Sequence, residues 1–345
     1  MQALTISLLK NLNENYKIMK HILSTLLITT LLVMSCKTEE KNSIETNKKM
    51  ITTETITKTN DVHYKTIKIN NLNIAYREAG NPKNPTIVLL HGFPASSHQY
   101  RKVLNTLGDE FHLIAPDYPG FGNSDFPSRE EFTYTFDNIA TTIDAFLEQK
   151  NINSYAIMMQ DYGAPVGFRI ATAHPERVTA IITQNGNAYK EGLGNGWKSI
   201  EDLWVNRNET TENALLPVFS LEGLKWQYTH GTRNPELVNP DNWHLDFYRM
   251  QRPNSHKVHL DLFYDYQNNI KLYPAWQKFI RDYQPPVLVV WGKNDAFFPE
   301  SGAEAFKKDA KNIDYHIYDT GHFALEEDGI DILQKMRVFM RNLSK

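Results

Sequence analysis

The stretch Gln160-Asp161-Tyr162-Gly163 constrains the fold of this chain more than any other. Before it, Tyr155-Ala156-Ile157-Met158-Met159 is a continuous apolar run that reads as a buried strand; after it, Val166-Gly167-Phe168-Arg169-Ile170-Ala171 reads as a helix. An aspartate therefore stands at a strand-to-helix corner, with a glycine two residues on, where a crowded backbone leaves little room for a side chain. Aspartate before a helix is also a common N-cap, accepting a hydrogen bond from the next turn, so the corner alone supports two readings.

Two downstream segments decide between them. Val287-Leu288-Val289-Val290-Trp291-Gly292 is a second buried-strand pattern, followed directly by Lys293-Asn294-Asp295. Tyr315-His316-Ile317-Tyr318 then leads into Asp319-Thr320-Gly321-His322-Phe323, which puts a histidine on a loop just past a strand. The order nucleophile, acid, histidine is that of a catalytic triad built around such a corner, and it favours a catalytic Asp161. A carboxylate is already ionised at neutral pH, so it can displace a leaving group from a saturated carbon with no base to activate it. That chemistry points away from ester hydrolysis and towards epoxides or carbon–halogen bonds. A fourth element agrees: the strand Thr86-Ile87-Val88-Leu89-Leu90 runs into His91-Gly92-Phe93-Pro94, where a backbone amide can face an oxyanion. His91 is read as structural, because His322 fills the base position with Asp295 as its partner.

Together these pieces resemble the epoxide hydrolase and haloalkane dehalogenase branch of the α/β-hydrolases, from about residue 62 to the C-terminus. The matching segments are His91-Gly92-Phe93-Pro94, Asp117-Tyr118-Pro119-Gly120-Phe121-Gly122-Asn123-Ser124-Asp125, Gln160-Asp161-Tyr162-Gly163, Gly292-Lys293-Asn294-Asp295 and Gly321-His322-Phe323-Ala324-Leu325-Glu326. The resemblance implies an α/β-hydrolase fold with a mostly parallel central sheet and an inserted, mainly helical lid. It implies Asp161 as nucleophile, Asp295 and His322 as its catalytic partners, and the backbone amides of Phe93 and Tyr162 as the oxyanion hole. No metal and no organic cofactor is implied. Met159 stands two before the nucleophile, where the family usually has a small residue, and implies a slightly more open turn.

Between the strand at 178–183 and the strand at 287–290 lies far more chain than one crossover needs, so a lid is expected at about 186–272. Lids of this kind close over the nucleophile and exclude water. Within it, Tyr264-Asp265-Tyr266-Gln267-Asn268-Asn269 resembles the segment in which epoxide hydrolases carry a tyrosine that hydrogen-bonds the epoxide oxygen, with Tyr266 at the matching place. Simple packing in the lid is its other reading. A second lid tyrosine is not evident, and Trp204 lies near its expected place. Dehalogenases typically hold the halide with tryptophan after the nucleophile and a second tryptophan or an asparagine; here Tyr162 and Phe93 stand at those places. Epoxide hydrolysis leads the readings, followed by haloalkane dehalogenation and then by a catalytically silent ligand-binding lipoprotein, with lactone or ester hydrolysis behind them.

The net charge of −3 is small, and no basic cluster interleaved with aromatics suggests nucleic acid, so a small-molecule substrate is expected. At the N-terminus Lys20 precedes an apolar run from 22 to 33, too short to span a bilayer comfortably and of signal-peptide dimensions. It stops at Met34-Ser35-Cys36. Cys36 is the single cysteine of the chain, and Val33-Met34-Ser35-Cys36 resembles a bacterial lipobox, in which the cysteine carries the lipid. An ordinary secretory signal is the alternative. The expected organisation is a signal segment at 1–36, a polar tether at 37–60 and a hydrolase domain at 61–345, anchored at the bacterial cell envelope on a membrane or in the periplasm or at the outer surface.

Overall fold

A computed structural model of the chain describes residues 60–343. The expected signal segment, Cys36 and the tether up to residue 59 lie outside the described residues.

Eight strands form one sheet: β1 (Val62–Ile69), β2 (Leu72–Ala79), β3 (Thr86–Leu90), β4 (His112–Pro116), β5 (Tyr155–Gln160), β6 (Val178–Gln184), β7 (Val287–Gly292) and β8 (Ile313–Tyr318). Their order is β1-β2-β4-β3-β5-β6-β7-β8. The β1–β2 hairpin and the β2–β4 pair are antiparallel, and every pair from β4 to β8 is parallel. This is the mostly parallel sheet of the α/β-hydrolase fold. Its central strands are largely apolar because both faces are covered. Alternation along β3 divides the core: Ile87 and Leu89 join one apolar cluster, Val88 and Leu90 the other.

Helices α1 (Arg101–Leu107), α2 (Phe136–Gln149) and α3 (Gly163–Ala173) follow β3, β4 and β5. Ile139, Ile143, Phe146 and Leu147 of α2 are buried, the apolar stripe that its spacing predicts. Between β6 and β7 lie α4 (Lys198–Val205), α5 (Glu209–Asn213), α6 (Leu221–Thr229), α7 (Asp241–Met250) and α8 (Ser255–Tyr283). After β7 come α9 (Glu300–Ala305), α10 (Ala324–Glu327) and α11 (Gly329–Leu343).

Helix α8 corrects one expected boundary. It runs unbroken through residue 272 and through Pro274, so no lid edge falls there. Its first half carries Phe263 and Tyr266, while in its second half Trp276 stacks on Phe168 of α3 at 5.4 Å. One continuous helix thus serves both the insertion and the core.

Register brings the functional ends together. Leu90 of β3 pairs with Met159 of β5, and Gln160 pairs with Gln184 of β6. The loops leaving β3, β5, β6, β7 and β8 therefore emerge along one edge, the carboxyl edge where open α/β sheets bind ligands.

Candidate active site

Asp161 follows β5 with φ at 50°, in the left-handed region that non-glycine residues rarely occupy. The surrounding chain forces this conformation by close approach. A Cβ on Gly163 would lie 2.0 Å from the Leu90 carbonyl oxygen, and one on Gly92 would lie 2.4 Å from Asp161 Cβ. Two loops touch where only glycine fits. Met159 is accommodated beside Gly167, where an added Cβ would lie 2.4 Å from Met159 Sδ.

The closeness of the loops aims a backbone donor at the carboxylate. Phe93 N–H donates to Asp161 Oδ1 at 2.6 Å, and the Tyr162 amide also favours the ionised form. Burial nevertheless lifts the carboxyl to about 6, against the pull of His322 and of these two amides. At neutral pH it stays mostly ionised. Asp161 Oδ2 lies 3.8 Å from His322 Nε2.

His322 Nδ1 lies 2.7 Å from Asp295 Oδ2. Burial works to lower the pKa of this imidazole, but attraction and hydrogen bonding to Asp295, joined by the charge of Asp161, outweigh it and raise the value from that of an ordinary histidine. Asp295 is itself held twice, by Phe297 N–H at 2.8 Å on Oδ1 and by Asn185 Nδ2 at 2.9 Å on Oδ2. Asn185 also has positive φ, 49°, and exchanges hydrogen bonds with both backbone groups of Gly292. Gln160 Nε2 contacts His322 Nε2 at 2.7 Å. The sequence reading passes over Gln160 and Asn185. Their signal is a polar amide at or just past the end of an otherwise apolar buried strand.

Asp161, Tyr162, Phe93 and His322 line a cavity of about 200 Å³ with Trp197, Ile200, Leu215, Phe263 and other residues. Its wall carries no lysine or arginine, and Gln227 is its buried amide side chain. Neither Tyr266 nor Trp204 is in the wall. Trp204 spends its single donor on the Phe263 carbonyl at 2.7 Å, which removes it as a leaving-group donor. Tyr266 lies one layer behind, its ring 4.3 Å from that of Trp197 and 5.5 Å from that of Phe136. Its hydroxyl makes one long contact, 3.5 Å to that of Tyr273. Burial holds the Tyr266 phenol well above its ordinary pKa, so it stays protonated. The Tyr162 hydroxyl is buried with no hydrogen-bond partner among the described residues.

His91 stacks on Tyr118 at 4.0 Å, accepts from Tyr118 N–H at Nε2 and faces the Gly92 carbonyl at Nδ1, with burial lowering its pKa to about 4. A neutral ring so placed braces the loop that ends in Phe93. Among the described residues, Asp144, Glu148 and His174 bring ligand atoms within 4.8 Å of one another, but Arg177 donates to both carboxylates and supplies the positive charge there.

Residues 85–329 match the family described as alpha/beta hydrolase fold. An uncharacterized hydrolase of Saccharomyces cerevisiae is 45% identical over 265 residues, covering 76% of this chain and 91% of that protein. A haloalkane dehalogenase of Bradyrhizobium diazoefficiens is 37% identical over 108 residues, which is 31% of this chain and 34% of the dehalogenase. Among solved structures, the epoxide hydrolase CorEH superposes with a TM-score of 0.68 at 18% identity, covering 82% of this chain and 100% of CorEH. At that identity the likeness is one of fold.

Proposed function

We propose that this chain, which belongs to the α/β-hydrolase family, opens small uncharged epoxides through an alkyl-enzyme ester on Asp161. The observation that carries the reading is a carboxylate at the strand–helix corner, with one oxygen gripped by the Phe93 amide at 2.6 Å and His322 3.8 Å from the other. A serine at that corner would need a base before it could attack; an ionised aspartate does not. The wall without cations favours neutral substrates, and a volume below the several hundred Å³ usual for ligand sites favours small ones.

In the first step Asp161 Oδ2 attacks the less hindered epoxide carbon, the ring carbon–oxygen bond breaks, and the departing oxygen takes a proton. Tyr266 is the proposed donor: its hydroxyl is protonated and only weakly engaged, and its ring lies 6.3 Å from that of Tyr162, the residue next to the nucleophile. Oδ1 becomes the ester carbonyl oxygen, already facing the amides of Phe93 and Tyr162. In the second step His322 takes a proton from water, and the hydroxide adds to the ester carbonyl carbon. The two amides hold the oxyanion, and its collapse breaks the ester bond and expels the alkoxide, which takes the proton from His322 to give the diol, while the carboxyl proton left on Asp161 returns to the Tyr266 phenolate. Asp295, steadied by Asn185, orients the imidazole.

Haloalkane dehalogenation is the second reading, supported by the local similarity to dehalogenases. Relatives that are hydrolases weigh against a silent ligand-binding protein. Purified enzyme incubated with neutral epoxides and haloalkanes of matched size should release diol faster than halide. Halide release alone would reverse the assignment, and neither product from any member of the panel would refute both.

Cys36 is the proposed lipid-bearing residue, tying the enzyme to a bacterial envelope membrane; the support is an apolar run ending at the chain's single thiol. Among the described residues no helix is long and apolar enough to cross a membrane. Cys36→Ala, expressed in a bacterial host, should move from the membrane fraction to the soluble fraction, and unchanged fractionation would count against the anchor.

A further inference from the structure

His322 is reached by a chain of side-chain amides whose direction is dictated by the backbone. The Gly92 N–H lies 3.2 Å from Gln99 Oε1. A backbone N–H can only donate, so the Gln99 atom beside it must be the oxygen, and the Gln99 NH2 group must point the other way. It faces Gln160 Oε1 at 3.5 Å. Gln160 therefore turns its own NH2 group towards His322, 2.7 Å from Nε2 and 3.5 Å from the His322 carbonyl oxygen. That carbonyl can only accept, which fixes the same orientation from the other end, and Gln184 Nε2 donates to it as well at 3.2 Å. An amide N–H cannot aim at a ring N–H. Nε2 of His322 is therefore the bare nitrogen, and the ring proton sits on Nδ1 against Asp295.

We propose that Gln99 and Gln160 form an amide relay that fixes the tautomer of His322 and keeps its Nε2 unprotonated until the hydrolytic water takes the place of Gln160. Both are positioning residues, and the proposal rests on His322 being the base of the second step. The charged groups facing the ring are Asp295 and Asp161, and both favour imidazolium. The rings of Phe297, Phe298 and Phe323 also pack around it. Beside burial, the Gln160 N–H opposes protonation, by stabilising the neutral ring. Because the relay starts at Gly92, the turn that aims the Phe93 amide at Asp161 also sets the proton on the base.

The test needs no substrate. In full-length protein labelled with ¹⁵N-histidine, the His322 ring signals are identified by their loss in His322→Gln, and their shifts report which nitrogen carries the proton. Above its titration midpoint, wild type should show protonated Nδ1 and bare Nε2. Gln160→Met should raise the titration midpoint by about one pH unit, the worth of one hydrogen bond to the neutral form. Gln99→Met should move it in the same direction by less, through loss of orientation in Gln160. Gln160→Glu, which offers an acceptor in place of the donor, should leave both ring nitrogens protonated at neutral pH. The acid limb of turnover should follow the midpoint in each variant. A bare Nδ1 in wild type, or a midpoint unmoved in folded Gln160→Met and Gln99→Met, would overturn the relay. A wrong assignment of His322 as base would show separately, as wild-type ester turnover in His322→Gln.

Discussion

Along the sheet edge and in the lid, functional side chains are held in different ways. Asp161 is gripped by the Phe93 amide and Asp295 by the Phe297 amide, and His322 is held between Asp295 and Gln160 with its own carbonyl taken by Gln184, all just past the ends of strands. In the lid, Tyr266 is wedged among Trp197, Phe136 and Trp204 and its hydroxyl has one long contact, while the donor of Trp204 goes to a helix carbonyl. Positions that the backbone over-determines express their role through spacing. Positions held by packing express it only through the rotamer that the packing selects.

The largest effect should come at the sheet edge. Asp161→Ala is expected to lose roughly four orders of magnitude or more in kcat, as triad losses commonly do, measured as diol formation at saturating epoxide. Retention of more than a few per cent of activity would mean that another group makes the bond. Next, Gly163→Ala should destabilise the fold on the order of 3 kcal/mol, because its Cβ would meet the Leu90 carbonyl oxygen at 2.0 Å and φ at Asp161 leaves no slack. Gly329→Ala is the control: its added Cβ would meet the flexible Lys102 side chain at 3.4 Å, and chemical denaturation should find it close to wild type.

In the lid, Tyr266→Phe should slow ester formation by about a hundredfold or more in rapid-quench experiments, the usual worth of one proton donor. Trp204→Phe should change it less than about threefold, since the indole donor is already committed. A large loss confined to Gln227→Leu would move the donor role to the cavity wall and narrow the contrast between the two regions.

The pH dependence isolates the edge. In the proposed mechanism Asp161 must be ionised to attack, and burial lifts its pKa to about 6. kcat/KM should therefore fall as pH drops through 6, by about tenfold per unit well below it, because each proton bound removes a nucleophile. It should stay flat on the alkaline side to about pH 9, since the Tyr266 phenol lies well above its ordinary range. A midpoint near 4 would mean that the carboxyl is better solvated in the working enzyme.

Legibility in the sequence follows the same division. The strands, the corner at Asp161, the acid after β7 and the histidine after β8 are visible because apolar runs of strand length end in polar loops at fixed places. The lid appears only as an excess of chain between β6 and β7. Its expected edge at residue 272 fell inside α8, since nothing local distinguishes the half of that helix packed on α3 from the half over the site. Trp204 looked like a donor because a sequence shows that an indole is present but not that the Phe263 carbonyl takes it. The space that Gly167 leaves for Met159 is hidden in the sequence because the two lie eight residues apart and only the fold brings them together. Gln160 and Asn185 are ordinary amides until the loops converge.

A single turnover in H₂¹⁸O, with enzyme in excess over epoxide, tests ester formation on Asp161 most directly. If Asp161 forms the ester and water attacks its carbonyl carbon, the first diol carries no ¹⁸O, and the label appears in the peptide containing Asp161. Diol labelled in the first turnover, with an unlabelled Asp161 peptide, would contradict the mechanism.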